Sequence, residues 1–174
     1  MSGINYDLKR IRGIVFDVDG VLSPSTIPMD RDGVPQRMVN IKDGYALQLA
    51  VKKGLKIAII TGGNTNNVKL RYGSLGINDI FLGVSRKIDT FRQWMSDNSL
   101  DPSEVIYMGD DIPDLMCMRA AGLACCPHDA CGEARMTARY ISPMSGGYGC
   151  ARDVLEQVMK AQGLWLADAE AFGW

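Results

Sequence analysis

The sequence predicts an α/β fold, a Rossmann-like doubly wound parallel sheet, on three observations. Short apolar runs alternate with segments of helical periodicity along the chain. The runs lack polar alternation, as strands covered on both faces do. Several helical segments stop at a glycine, namely Gly54, Gly76 and Gly122.

In chain order, Ile14, Val15 and Phe16 form an apolar run ending at Asp17, the first strand. A polar stretch follows, punctuated by Pro24, Pro28, Gly33 and Pro35, with Asp32-Gly33 as a turn signal. It predicts a β-hairpin over 27–39. Ala46, Leu47, Ala50 and Val51 stand at helical spacing and predict a helix over 43–53. A strand over 56–60, a helix over 64–75, a strand over 79–82 and a helix over 87–97 come next. Asp101-Pro102 opens a turn before a strand over 105–108. A helix over 112–121, two weaker strands at 123–125 and 140–141, and a helix over 150–161 complete the series.

The 174 residues suffice for one core, and no repeat, low-complexity tract or linker divides them. The expectation is one domain, 1–174, with a small hairpin insertion at about 22–40 and a C-terminal tail at about 162–174. A net charge of -1 gives no electrostatic reason for nucleic acid or an anionic membrane as partner. No apolar run approaches the ~20 residues of a membrane span. The N-terminus has no apolar stretch of the signal-peptide kind, so a cytoplasmic location is expected, with all five cysteines free.

In open α/β sheets, ligands sit beyond the carboxyl ends of the strands. After the first strand come Asp17, Val18, Asp19 and Gly20; after the second, Thr61, Gly62 and Gly63. Lys87 opens the helix beyond the third, and Gly109, Asp110, Asp111 and then Asp114 follow the fourth. Carboxylates brought together repel one another unless a cation neutralises them, and magnesium is the hard cation that oxygen ligands suit. Asp17, Asp110 and the backbone carbonyl of Asp19 are its expected ligands. Thr61, the amides around Gly62 and the Lys87 ammonium suit a phosphate. Asp17 suits a nucleophile that forms an aspartyl phosphate. Asp19 suits the acid and base of the same reaction, because residues i and i+2 of a strand share a face. Asp111 and Asp114 would hold metal-bound water and Lys87 in place.

Each motif alone has a plainer explanation: a turn at Asp17, a helix cap at Thr61, a solvated Lys87. Four in order are specific, and together they resemble the haloacid dehalogenase superfamily phosphatases. Three further stretches, Asn40 to Tyr45, Val68 to Arg71 before Leu75-Gly76-Ile77, and Gly146 to Arg152, resemble one family within it, the 3-deoxy-D-manno-octulosonate 8-phosphate phosphatases. The resemblance spans 8–160. It implies a magnesium-dependent homotetramer that hydrolyses the 8-phosphate of an eight-carbon keto acid on the route to lipopolysaccharide. The short insertions leave the site open within one subunit, for a neighbour to close through the hairpin; the resemblance implies that the aromatic tail, Leu164 to Trp174, also reaches a neighbour, against the plainer reading of a tail packed on its own subunit or frayed. Arg71, Lys42 and Arg152 are the candidates for the substrate carboxylate and its surroundings. The chain departs from the family pattern at Ser23-Pro24-Ser25, at Gly63 (usually arginine) and at Lys42 (usually arginine).

Other readings differ in checkable ways. A nine-carbon keto acid 9-phosphate would need only a longer pocket. A non-catalytic assembly subunit would tend to lack Asp17 or Asp19, and both are present. A signalling receiver would carry its phosphoacceptor after a middle strand. Zinc at Cys125, Cys126 and Cys131 lacks paired C-x-x-C spacing, and His128 is the chain's one histidine; a buried strand followed by a loop fits that segment better.

Overall fold

A computed structural model of the chain describes residues 3–173; the predicted tail's last residue, Trp174, lies outside them. Six strands form one sheet: β1 (Gly13–Phe16), β2 (Lys56–Ile60), β3 (Asp79–Phe81), β4 (Val105–Met108), β5 (Leu123–Cys126) and β6 (Tyr140–Ile141). All neighbours pair parallel, in the order β3-β2-β1-β4-β5-β6. The helices are α1 (Ile41–Lys52), α2 (Asn66–Gly73), α3 (Lys87–Asp97), α4 (Leu115–Ala120), α5 (Gly132–Thr137) and α6 (Cys150–Ala161).

The apolar runs are explained by two cores, one on each face of the sheet. Ile14 and Phe16 of β1 and Ile106 and Met108 of β4 pack with α1, α2 and α6. Val15, Val105 and Tyr107 face the other way, into α3, α4 and α5. Burying each such side chain is worth about 1.5–3 kcal/mol. The same alternation sends Cys125 and Cys126 to opposite faces, so adjacent thiols cannot join in one metal site.

Two expectations change, and of the two readings of the tail the chain shows packing on itself. The hairpin shrinks to a single antiparallel bridge, Met29 with Pro35, because Asp30 takes over the turn. Its Oδ1 accepts from the Asp32 and Val34 amides at 2.9 Å each, leaving no strand ladder to extend. An extra helix, α5, forms around one buried residue, Ala134. The tail lies along α1 of its own chain: Trp165 meets Tyr45 edge-to-face at 5.9 Å, the Tyr45 hydroxyl donates to the Ala171 carbonyl, and Lys53 pairs with Asp168 and Glu170.

Asp43 of α1 joins the two large helices. Its Oδ1 accepts the Arg152 backbone amide of α6 at 2.7 Å, while its buried Oδ2 has no hydrogen-bond partner. Burial raises Asp43 to about 6, against the pull of the Arg152 and Gly149 amides. The folded state therefore keeps this proton longer than the unfolded chain. The stability from the protonated form is fully present below about pH 4 and is lost as pH rises through about 6. Asp43→Asn removes that loss. Urea titrations should show the variant gaining on the parent between pH 4 and pH 7, by up to about 3 kcal/mol; a constant difference would assign Asp43 no buried charge.

Candidate active site

The strand order reverses between β1 and β4, and the crevice at that switch point is where open α/β sheets bind ligands. Asp17 follows β1 directly, its amide bonded to the Met108 carbonyl at 3.1 Å, and Asp110 lies just beyond the adjacent end of β4. After Asp17 the chain turns sharply: the Gly20 amide bonds the Ser23 carbonyl and the Ser23 amide bonds Val18. Asp17 and Asp19 thus share the cavity through a turn, and not through the pleat of a continuing strand. Gly20 holds φ +91°, and a Cβ there would run into the Asp110 carboxylate, so glycine is needed for the β1 and β4 loops to close on each other.

A cavity of about 450 Å³ opens at this point. Asp17, Asp19, Ser25, Thr61, Lys87 and Asp110 are among its lining residues, with Gly62, Gly63, Asp111 and Asp114. Lys87, the first residue of α3, is buried between two carboxylates, 2.9 Å from Asp17 and 2.8 Å from Asp114. Burial works against its charge, but those neighbours outweigh it and hold Lys87 above its ordinary value. Burial, then the Asp114 charge, pushes Asp17 up to about 7 in spite of Lys87. Burial and the charges of Asp17, Asp114 and Asp111 push Asp110 up to about 8. Thr61 is buried, and its Oγ1 accepts the Gly63 amide at 3.0 Å, leaving its O–H as a donor.

Asp17, Asp110 and Asp114 each bring an oxygen within 4.8 Å of the others. Asp114 is already saturated. Its Oδ1 accepts from Lys87 and from the Tyr107 hydroxyl, both at 2.8 Å, and its Oδ2 from the amides of Asp110 and Asp111. Asp110 Oδ1, by contrast, is buried with no hydrogen-bond partner. A buried, orphaned carboxylate oxygen facing a second carboxylate is what a divalent cation satisfies, so Asp17 and Asp110 fit magnesium and Asp114 fits a support.

The residues expected for substrate lie elsewhere. Lys42 and Arg152 line a separate cavity of about 920 Å³ between the start of α1 and the loop before α6. Arg152 is already engaged, bonded to Glu156 at 2.8 Å and stacked over Tyr45 and Trp165. The Arg71 guanidinium is turned toward Gly44, with Nε and Nη2 buried and unbonded. Sequence reasoning missed Arg37, whose side chain reaches Asp19 from the insertion, and Ser25. Arg37 carries no periodic or motif signal, because a loop residue's target is set by the fold; Ser25 is signalled only as part of the departure at Ser23-Pro24-Ser25.

Residues 44–127 match the haloacid dehalogenase-like hydrolase family. The chain is 34% identical over 155 residues to the 3-deoxy-D-manno-octulosonate 8-phosphate phosphatase KdsC of Escherichia coli (strain K12), across 89% of this chain and 82% of that one. Among solved structures, the 3-deoxy-D-manno-octulosonate 8-phosphate phosphatase of Moraxella catarrhalis, in complex with magnesium, phosphate and KDO, superposes with a TM-score of 0.86 at 33% identity, covering 90% of each chain. A probable YrbI family phosphatase of Pseudomonas syringae gives 0.90 at 34%, covering 95% and 94%. The chain belongs to the haloacid dehalogenase-like hydrolases and, within them, to the family of the 3-deoxy-D-manno-octulosonate 8-phosphate phosphatases.

Proposed function

We propose that the chain is a magnesium-dependent phosphatase that hydrolyses 3-deoxy-D-manno-octulosonate 8-phosphate to the free sugar acid and phosphate, in a single domain. The observation that carries this reading is the meeting of Asp17, Thr61, Lys87 and Asp110 at the switch point, with Asp110 Oδ1 buried and unpartnered. The named activities of the Escherichia coli and Moraxella relatives support it.

Asp17 and Asp110 would hold the metal, with the Asp19 backbone carbonyl. When bound, magnesium offsets the carboxylate charge and the charge on the phosphoryl oxygens. Lys87, the Thr61 hydroxyl and the amides near Gly62 hold those oxygens in line. An Asp17 oxygen attacks phosphorus; the bond from phosphorus to the sugar oxygen breaks, and that oxygen takes the proton of Asp19. Asp19, now a carboxylate, takes a proton from water as the water oxygen attacks phosphorus. The Asp17–phosphorus bond breaks, and phosphate leaves with Asp17 restored. Asp111 and Asp114 keep the metal side and Lys87 in place. The unbonded Nε and Nη2 of Arg71 suit the substrate carboxylate, and Lys42 and Arg152 line the larger cavity.

The proposal extends to a cytoplasmic homotetramer in lipopolysaccharide precursor synthesis whose subunits close one another's sites. Exposed Met38, Val39, Ile41 and Tyr148 beside the larger cavity support such contacts. No helix among the described residues is long and apolar enough to cross a membrane.

Phosphate release from the octulosonate 8-phosphate and a nine-carbon 9-phosphate, each with magnesium or EDTA, tests the reading. Magnesium-dependent preference for the eight-carbon acid is expected. Preference for the nine-carbon acid would keep the chemistry and replace the substrate. Release from neither would point to a non-catalytic subunit.

A further inference from the structure

From the insertion, Ser25 lines the carboxylate cavity and the Arg37 side chain bonds one of its carboxylates. Most of the loop from Ile27 to Arg37 is solvent-exposed or half-exposed, yet the Arg37 side chain is only 10% exposed. Its Nε donates to Asp19 Oδ1 at 2.6 Å and its Nη2 to Asp19 Oδ2 at 2.7 Å, a two-pronged grip. Its Nη1 donates to Thr65 Oγ1 at 2.6 Å. Thr65 stands at the N-cap of α2, but its side chain makes no capping bond; the hydroxyl serves Arg37 instead. Gly63 leaves the guanidinium room, since a Cβ there would sit 2.5 Å from Nη2. The loop is itself stiffened by Asp30, by the Met29–Pro35 bridge and by the Gln36 amide bonded to the Pro28 carbonyl.

The Asp19 side chain is 36% accessible, against 8% for Asp17, and both its oxygens are held by this grip. We infer that Arg37 is a positioning residue for the acid–base step: the insertion, through Arg37, sets the plane and direction of the Asp19 carboxylate against the ester oxygen. This deepens the reading of Asp19 as acid and base, and rests on it. A forked, planar cation is required, because two parallel N–H···O bonds define an orientation and a single ammonium does not.

Leaving-group dependence separates positioning from a general structural role. A sugar alkoxide needs a proton as it leaves; p-nitrophenolate does not. Arg37→Ala is expected to lower kcat/KM on the sugar acid 8-phosphate on the order of 10–100-fold, with kcat/KM on p-nitrophenyl phosphate changed less than about threefold, because kcat/KM stops at leaving-group departure, before the water step that Asp19 serves for both substrates. Arg37→Lys should be as impaired as Arg37→Ala. In an Asp19→Asn background, Arg37→Ala should cost nothing further. Equal losses on both substrates, full rescue by lysine, or additive losses would each overturn the inference. Asp19→Asn alone serves as the reference: if it lacks the leaving-group dependence, the acid–base reading fails, and with it this one. If Asp19→Asn shows the dependence and Arg37→Ala does not, only the positioning role fails. Thermal melts confirm that each variant is folded before its kinetics are compared.

Discussion

Asp17→Asn is expected to abolish turnover, by on the order of 10⁴-fold or more, while making the metal-free chain harder to melt. The two effects have one cause. Asp17 is a buried carboxylate raised to about 7 by burial and by Asp114, so its charge is held at a cost that the nucleophile requires and the fold does not. Asparagine cannot form the acyl phosphate and carries no charge, so the repulsion on Asp110 and Asp114 is relieved. Lys87 keeps its bond to Asp114 at 2.8 Å, so no buried ammonium is stranded. The measurement is phosphate release beside a thermal melt in EDTA. Retained activity above about a hundredth of the parent's would place the nucleophile elsewhere, and a lower Tm would mean that Asp17 contributes net stability.

Lys87→Met should act in the opposite direction on stability. It removes the cation between Asp17 and Asp114, both nearly inaccessible to water, and leaves two facing carboxylates uncompensated. Breaking such a buried pair costs about 3–5 kcal/mol, or roughly 10 °C in Tm for a chain this size. Asp17 can take up a proton to relieve the strain, so the loss should shrink from pH 8 toward pH 5. Added magnesium should recover part of the Tm but not turnover, because the phosphate oxygens lose their ammonium partner. A melt unchanged at pH 8 would show that Lys87 does not compensate the buried charge.

Much of the fold was legible because its central strands are buried on both sides. Ile14 to Phe16, Ile57 to Ile60 and Val105 to Met108 read as continuous apolar runs, and each lies in a strand. The candidate site was legible for the same reason: strand ends place Asp17, Thr61 and Asp110 on one rim whatever the loops do. What could not be read belongs to loops. Helix α5 has one buried side chain, Ala134, and six residues, so it leaves no period to detect. Helix α2 starts at Asn66, two residues later than the expected 64, with Thr65 as its N-cap. The grip of Arg37 on Asp19 joins a loop to a turn 18 residues away, and no local pattern encodes it.

The pairing of Gly13 with Val105 has a consequence for how the chain is made. β1 leaves the ribosome before any strand it pairs with, and β2 and β3 can join one of its sides soon afterwards. Its other side has no partner until β4 emerges, long after. Until then Ile14, Val15 and Phe16 form an open, wholly apolar edge, the kind that pairs with foreign strands. The same wait leaves Asp17 without Asp110 or Asp114 around it. The nascent N-terminal half is therefore both the part most in need of a holding chaperone and a part with no catalytic centre, and the site appears only when the second half of the sheet docks.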